Sequence, residues 1–143
     1  MKKTIKLFLS FVVVVMTAIS YTSCMSGDSL AEKYVDEMNK TGAAMNVSGV
    51  MSFDGAKIEG KDIVIAAKME IEFGPMCPKD DFLAGVKSAT SAETLVAQGG
   101  SLGDKTFKKL AESGYSFVFR YIDQKGDTAE VRITSSEILE AIR

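Results

Sequence analysis

From Ile63 to Phe73 the chain alternates without a break. Ile63, Ile65, Ala67, Met69, Ile71 and Phe73 fall on one face, and Val64, Ala66, Lys68, Glu70 and Glu72 on the other. Side chains of a strand leave in opposite directions with period two, so this run specifies a half-buried strand. Three charges on the second face turn it toward water, the habit of an antiparallel sheet with one dry side. A second alternating region follows: Tyr115, Phe117, Phe119 and Tyr121 against Ser116, Val118, Arg120 and Ile122. The loop Gln124-Lys125-Gly126-Asp127 then leads into Ala129, Val131 and Ile133, which alternate with Glu130 and Arg132. That is a hairpin. Upstream, Val47–Phe53 reads as a strand, Asp54-Gly55 as a turn or bulge, and Ala56–Glu59 as a short extension before the Gly60-Lys61 turn.

Helical signals fill the gaps. Ser29-x-x-Glu32 is a capping box, and Leu30, Tyr34 and Met38 form an apolar stripe that stops at Asn39–Gly42. Gly74-Pro75-Met76-Cys77-Pro78 holds both prolines of the chain and makes a rigid connector. Asp80-Asp81 cap a helix through Phe82, Leu83 and Val86, interrupted at Ser88–Thr94 and ended by Gly99-Gly100. A shorter helix starts at Asp104, carries Phe107 and Leu110, and ends with Gly114 at its C′ position. Thr134-x-x-Glu137 opens a final one. The predicted order is α-ββ-α-α-ββ-α. The fold expected is α+β, a four-stranded antiparallel sheet of two hairpins with helices on one face.

The N-terminus is of another kind. Lys2, Lys3 and Lys6 precede Leu7–Ile19, an uncharged apolar run of 13 residues. A membrane span takes ~20 residues, whereas the apolar part of a secretory leader takes ~7–15. The run ends in Tyr21-Thr22-Ser23-Cys24. This arrangement resembles a bacterial lipoprotein leader, with Tyr21 in place of the usual aliphatic residue. The resemblance implies cleavage before Cys24, lipidation of Cys24 and anchoring in the cell envelope. The division expected is residues 1–23 as leader, 24–28 as lipidated tether and 29–143 as one α+β domain. Several acyl chains on one residue give stable anchoring, at ~0.8 kcal/mol per buried CH₂. Met25 follows the cysteine, so the Asp that retains lipoproteins in the inner membrane of enteric bacteria is absent, which favours the outer membrane.

Charge and composition exclude several functions. Loss of Lys2, Lys3 and Lys6 takes 17 basic residues to 14 against 19 acidic ones, a net charge of −5. A mildly acidic domain without a basic cluster is unsuited to nucleic acid. The chain has no His, which removes imidazole catalysis and imidazole metal sites, and no cofactor or metal is expected. With Cys24 lipidated, Cys77 has no partner for a disulfide. Met51 and Met69 fall on predicted core faces, so they read as filling rather than as thioether ligands.

What remains is the outer sheet face, solvated by default because of its mixed charges, where apolar residues could seed a docking patch. The outer sheet face would carry Lys68, Glu70, Glu72, Arg120, Glu130 and Arg132 with three apolar residues among them, Val64, Val118 and Ile122. Val118, Arg120 and Ile122 are the candidate partner-binding residues, with the Gly99–Gly103 segment as a second contact. The function expected is a non-enzymatic envelope adaptor with a protein partner. The alternative is a small enzyme or carrier for an envelope metabolite, which needs a pocket gathering Cys77 with Asp80 or Glu72. Asp28-Ser29-Leu30 and Asp127-Thr128-Ala129 are similar to an O-glycosylation signal of some anaerobes, although capping and loop roles account for them. The mature part also resembles a loose group of small envelope lipoproteins, through Tyr34–Asn39, Val47–Phe73, Asp80–Glu112 and Gly114–Thr134 with its Asp123-Gln124-Lys125-Gly126 turn. More distantly it is similar to pilotin lipoproteins, which escort outer-membrane secretion channels.

Overall fold

The computed structural model describes residues 25–42, 46–47, 51–75 and 77–142. Among these residues the order is α1 (Gly27–Gly42), β1 (Asn46–Val47), β2 (Met51–Glu59), β3 (Asp62–Met69), α2 (Lys79–Ala89), α3 (Ala92–Glu112), β4 (Ser116–Ile122), β5 (Thr128–Ile133) and α4 (Ser135–Ile142). The architecture is α+β. The strands form one sheet in chain order, β1-β2-β3-β4-β5, with β1 a two-residue stub.

Two expectations about the sheet are overturned. It has five described strands rather than four, because the chain pairs with itself through β1 before β2 begins. It is also mixed rather than antiparallel: β3 and β4 run parallel, from Asp62↔Ser116 to Lys68↔Ile122. The cause lies in the connection. A hairpin returns the chain antiparallel, whereas residues 70–115 contain two helices, enough to carry it back to the starting end of β3. The flanking pairs β2–β3 and β4–β5 are the antiparallel hairpins predicted.

The dry face is the one the alternation specified. Ile63, Ile65, Ala67 and Met69 of β3, Phe117, Phe119 and Tyr121 of β4, and Ala129, Val131 and Ile133 of β5 are all buried. Leu30, Tyr34 and Met38 of α1, Phe82 and Val86 of α2, Phe107 and Leu110 of α3, and Ile138 of α4 pack against them in one cluster. Edge-to-face contacts join Tyr34 and Phe107 to Phe117, and Phe82 to Tyr121. Met51 and Met69 pair across β2–β3, both buried, as core filling requires. β3 stops at Met69, four residues short of the alternating run, yet Phe73 stays buried against Phe82 with ring centroids 5.2 Å apart.

Helix ends follow local chemistry with three departures from expectation. α1 starts at Gly27, capped by Ser26, whose hydroxyl accepts from the Ser29 amide at 3.1 Å. The Ser29-x-x-Glu32 box is therefore not the start. α2 follows Pro78 with no side-chain cap, so Asp80 and Asp81 act only through their charge in the first turn. α3 runs unbroken through Gly99–Gly103, where two separate helices were expected. Each helical Gly costs ~1 kcal/mol, but Leu95, Val96, Phe107 and Leu110 on either side are all in the core. Their burial outweighs the propensity. The break predicted in Ser88–Thr94 falls at Thr90-Ser91, with Ser91 accepting from the Thr94 amide at 3.1 Å.

The C-terminus of α3 closes as the sequence predicts. Gly114 has φ +88°, and the amides of Gly114 and Tyr115 reach back to the carbonyls of Ala111 and Leu110, both at 3.0 Å. The Thr134 box also forms: the Glu137 amide donates to Thr134 Oγ1 at 3.2 Å.

Candidate functional site

The sheet face away from the helices collects residues from four strands. The parallel pairing sets Val64 beside Val118, Ala66 beside Arg120 and Lys68 beside Ile122. On the far side β5 adds Arg132 opposite Val118 and Glu130 opposite Arg120, while β2 adds Lys57 opposite Val64 and Gly55 opposite Ala66.

Charged side chains lie down across this face. The Arg120 guanidinium donates from Nε to Glu130 and reaches Glu59 with Nη2 at 3.7 Å. Lys57 pairs with Glu59 at 2.7 Å, and Arg132 with Asp62 at 2.7 Å. Glu130 holds Arg120 protonated beyond its ordinary range, and Lys57, then Arg120, hold the Glu59 carboxyl below its own. Exposed pairs of this kind add little stability, ~0–1 kcal/mol each. Val64 and Val118, beneath this layer, are only 2% and 5% exposed.

Of the three predicted contact residues, Val118 is thus a buried floor, Arg120 is engaged by two carboxylates, and Ile122 is half-buried at the rim. Beside them is a depression of about 400 Å³ lined by Lys57, Val64, Ala66, Arg120 and Ile122. Its outer wall comes from the β2 bulge, where the register shifts between Phe53 and Gly55 and Gly55 takes φ +125°. Asn39 holds the bulge from α1: the Ala56 amide donates to its Oδ1 at 2.8 Å and its Nδ2 donates to the Ala56 carbonyl at 3.0 Å. The Asp54-Gly55 signal was legible, but not the wall it builds.

The enzyme alternative required Cys77 near Asp80 or Glu72. Cys77 is a free, half-buried thiol in a tight turn, paired to Gly74 through backbone bonds of 3.0 and 3.1 Å. Glu72 instead meets Lys125 at 3.4 Å, and Asp80 is exposed in the first turn of α2. The depressions at the outer face, the α2–α3 junction, the end of α4 and the Asp123 loop are lined by other residues. Among the described residues no three metal-ligating side chains of the His, Cys, Asp or Glu type converge.

Two acidic residues that the sequence placed in the tether and in a turn, Asp28 and Asp123, carry organised polar networks. Asp123, 4% exposed, accepts from the amides of Asp127 at 2.8 Å, Lys125 at 2.9 Å and Phe73 at 3.0 Å. Burial opposes its charge, but the backbone donors prevail and lower its pKa. Asp28 accepts from Lys61 at 2.9 Å and from the Tyr115 hydroxyl at 2.6 Å, with the Lys61 ammonium 4.5 Å from the Tyr115 ring centre. Lys61 first, then Tyr115, lower the Asp28 pKa.

Cys24 and the leader lie outside the described residues, as does Met76. The Gly99–Gly103 contact predicted from sequence lies within α3 as backbone. No helix among the described residues is long and apolar enough to cross a membrane. Comparison with family models, with curated proteins and with solved structures finds no match to this chain.

Proposed function

We propose that this chain is a lipoprotein of the bacterial cell envelope, anchored through lipid on Cys24, whose domain is a non-enzymatic binding or adaptor module. The observation that carries the binding reading is the sheet face without helices and its open depression beside Ile122. The anchor reading rests on Lys2, Lys3, Lys6, the 13-residue apolar run and Cys24. Met25 after the cysteine favours the outer membrane.

The start of the domain fits a short anchor. Met25 packs against the core, and a Cβ at Gly27 would stand 2.3 Å from that of Ser113. With Asp28 held by Lys61 and Tyr115, almost no free chain separates Cys24 from the folded body. Such a domain stands on the bilayer with its Gly60-Lys61 turn near the surface. An eight-residue strand spans roughly 26 Å, so the Asp123–Asp127 loop would face away from the membrane.

Two experiments test this. Cys24→Ser moves the protein from the detergent phase to the aqueous phase on phase partitioning; continued partitioning with detergent refutes the anchor. Ala66→Arg fills the depression while leaving the core face untouched. Proteins cross-linked to the wild-type chain in native membranes are lost with this variant. An unchanged set of adducts refutes the outer face as the contact, and recovery of the bait alone across gentle detergents refutes the adaptor.

A further inference from the structure

β5 ends the sheet, and among the described residues no strand pairs with its outer edge. The Asp123 amide donates to the Asp127 carbonyl at 2.9 Å, which fixes the hydrogen-bonded phase of the β4–β5 ladder. Alternation then directs the amides and carbonyls of Ala129, Val131 and Ile133 toward β4, and those of Thr128, Glu130 and Arg132 away from it. Among the described residues no group meets that outward row. The strand has no bulge and no Pro, two devices that blunt an edge, and its charges are of both signs, Glu130 and Arg132.

We propose that the β5 edge pairs antiparallel with β5 of a second copy, about a two-fold axis at Val131. The occupant is identified by self-complementarity. In this register Glu130 faces Arg132 of the partner subunit, twice over, on the outer face. Thr128 faces Thr134 of the partner subunit on the same side. On the inner face Val131 stands opposite its own copy and Ala129 opposite Ile133 of the partner subunit, each already covered by its own helices. Opposite charges and Thr pairs facing one another are favourable cross-strand combinations. A two-fold at Glu130 or at Arg132 sets like charges opposite and is disfavoured. A shift of one residue between the strands exchanges the dry and wet faces.

Space exists for the added strand's inner side chains. A depression of about 310 Å³ beside β5 is lined by Val131, Ile133 and Ala92 together with the charged Lys87, Glu93, Glu137 and Glu140. Glu130 and Arg132 are 44% and 54% exposed and keep their pairs to Arg120 and Asp62, so each has room for a second ionic neighbour. Pairing of a single strand buries little area, so the dimer is weak and concentration-dependent. The inference does not depend on the lipid anchor.

The test uses the full chain in mild detergent with Cys77→Ser as the parent. Glu130→Cys and Arg132→Cys are made in separate copies and mixed under oxidation. Facing residues of a hydrogen-bonded pair have Cα atoms ~5.5 Å apart, within disulfide reach, whereas Glu130 and its own copy stand roughly 8 Å apart. Disulfide-linked dimer is expected in the mixture and only at the parent's level in either variant alone. Thermal melting by circular dichroism selects variants that stay folded. Glu130→Pro removes an outward amide without touching the ladder to β4, and two lost hydrogen bonds weaken the dimer roughly 30-fold. Four outcomes overturn the proposal: no cross-link from folded variants in the mixture, self-linking of Glu130→Cys, wild-type association of Glu130→Pro, or linkage of the Glu130→Cys chain to a different protein.

Discussion

At the residue scale, the polar groups that matter are those the fold has immobilised. Asp123 satisfies three backbone amides from two loops, so one carboxylate fixes both the β4–β5 turn and the exit of β3 toward Phe73. Asp28 ties the start of α1 to two side chains instead, the Lys61 ammonium and the Tyr115 hydroxyl. Both carboxyls titrate below the ordinary value of 3.8, so the unfolded chain binds more protons than the fold near that pH. Their contribution is complete above that value and is lost as pH falls through the lowered values. The melting temperature should be flat from neutral pH to about 5 and drop steeply below about 4. Asp123→Asn should lower the melting temperature at pH 7 by several degrees, since an amide NH₂ cannot accept from the Phe73 amide. The variant should also show a shallower acid limb. Melting curves across pH check this, and an acid limb of unchanged slope would sink the assignment to Asp123.

At the element scale, α1 is seated by contacts too close for any side chain. A Cβ at Gly27 would lie 1.8 Å from Ser113 Oγ and 2.3 Å from its Cβ. Gly27→Ala should destabilise by about 1–3 kcal/mol, the cost of overpacking. Adding Ser113→Gly should recover most of that loss, whereas Ser113→Ala should not, because the clashing Cβ remains. Denaturant unfolding of the three variants reads the difference. This seat was not legible in sequence, since it joins residues that only the folded chain brings together. What was legible is what depends on neighbours: the alternating faces, the Gly60-Lys61 turn, the Gly114 closure and the Thr134 box. The Ser29 box failed because Ser26, three residues earlier, offered the same chemistry. The split at Gly99–Gly103 failed because core residues on both sides held one helix against local propensity. The outer-face candidates were placed on the correct side, but burial of Val118 needed the register, which alternation alone does not fix.

At the scale of the whole molecule, the two ends of the sheet are finished differently. On the β2 side, Ser52 is paired with β1, Ala56 is bonded to Asn39, and the strand bends at the bulge between them. On the β5 side nothing equivalent stands in the way among the described residues. A sheet with two open ends can recruit copies without limit and grow into a fibre; a sheet with one can add a single neighbour and then stops. In the proposed dimer Asn39 closes the stretch of β2 that β1 leaves unpaired, besides supporting the bulge. Asn39→Ala should convert a concentration-dependent dimer into species of increasing size, seen by light scattering, while Asn39→Ala combined with Glu130→Pro should not grow. On the proposed lipid anchor, where copies would meet in two dimensions, that single carboxamide would mark the boundary between a counted complex and an aggregate.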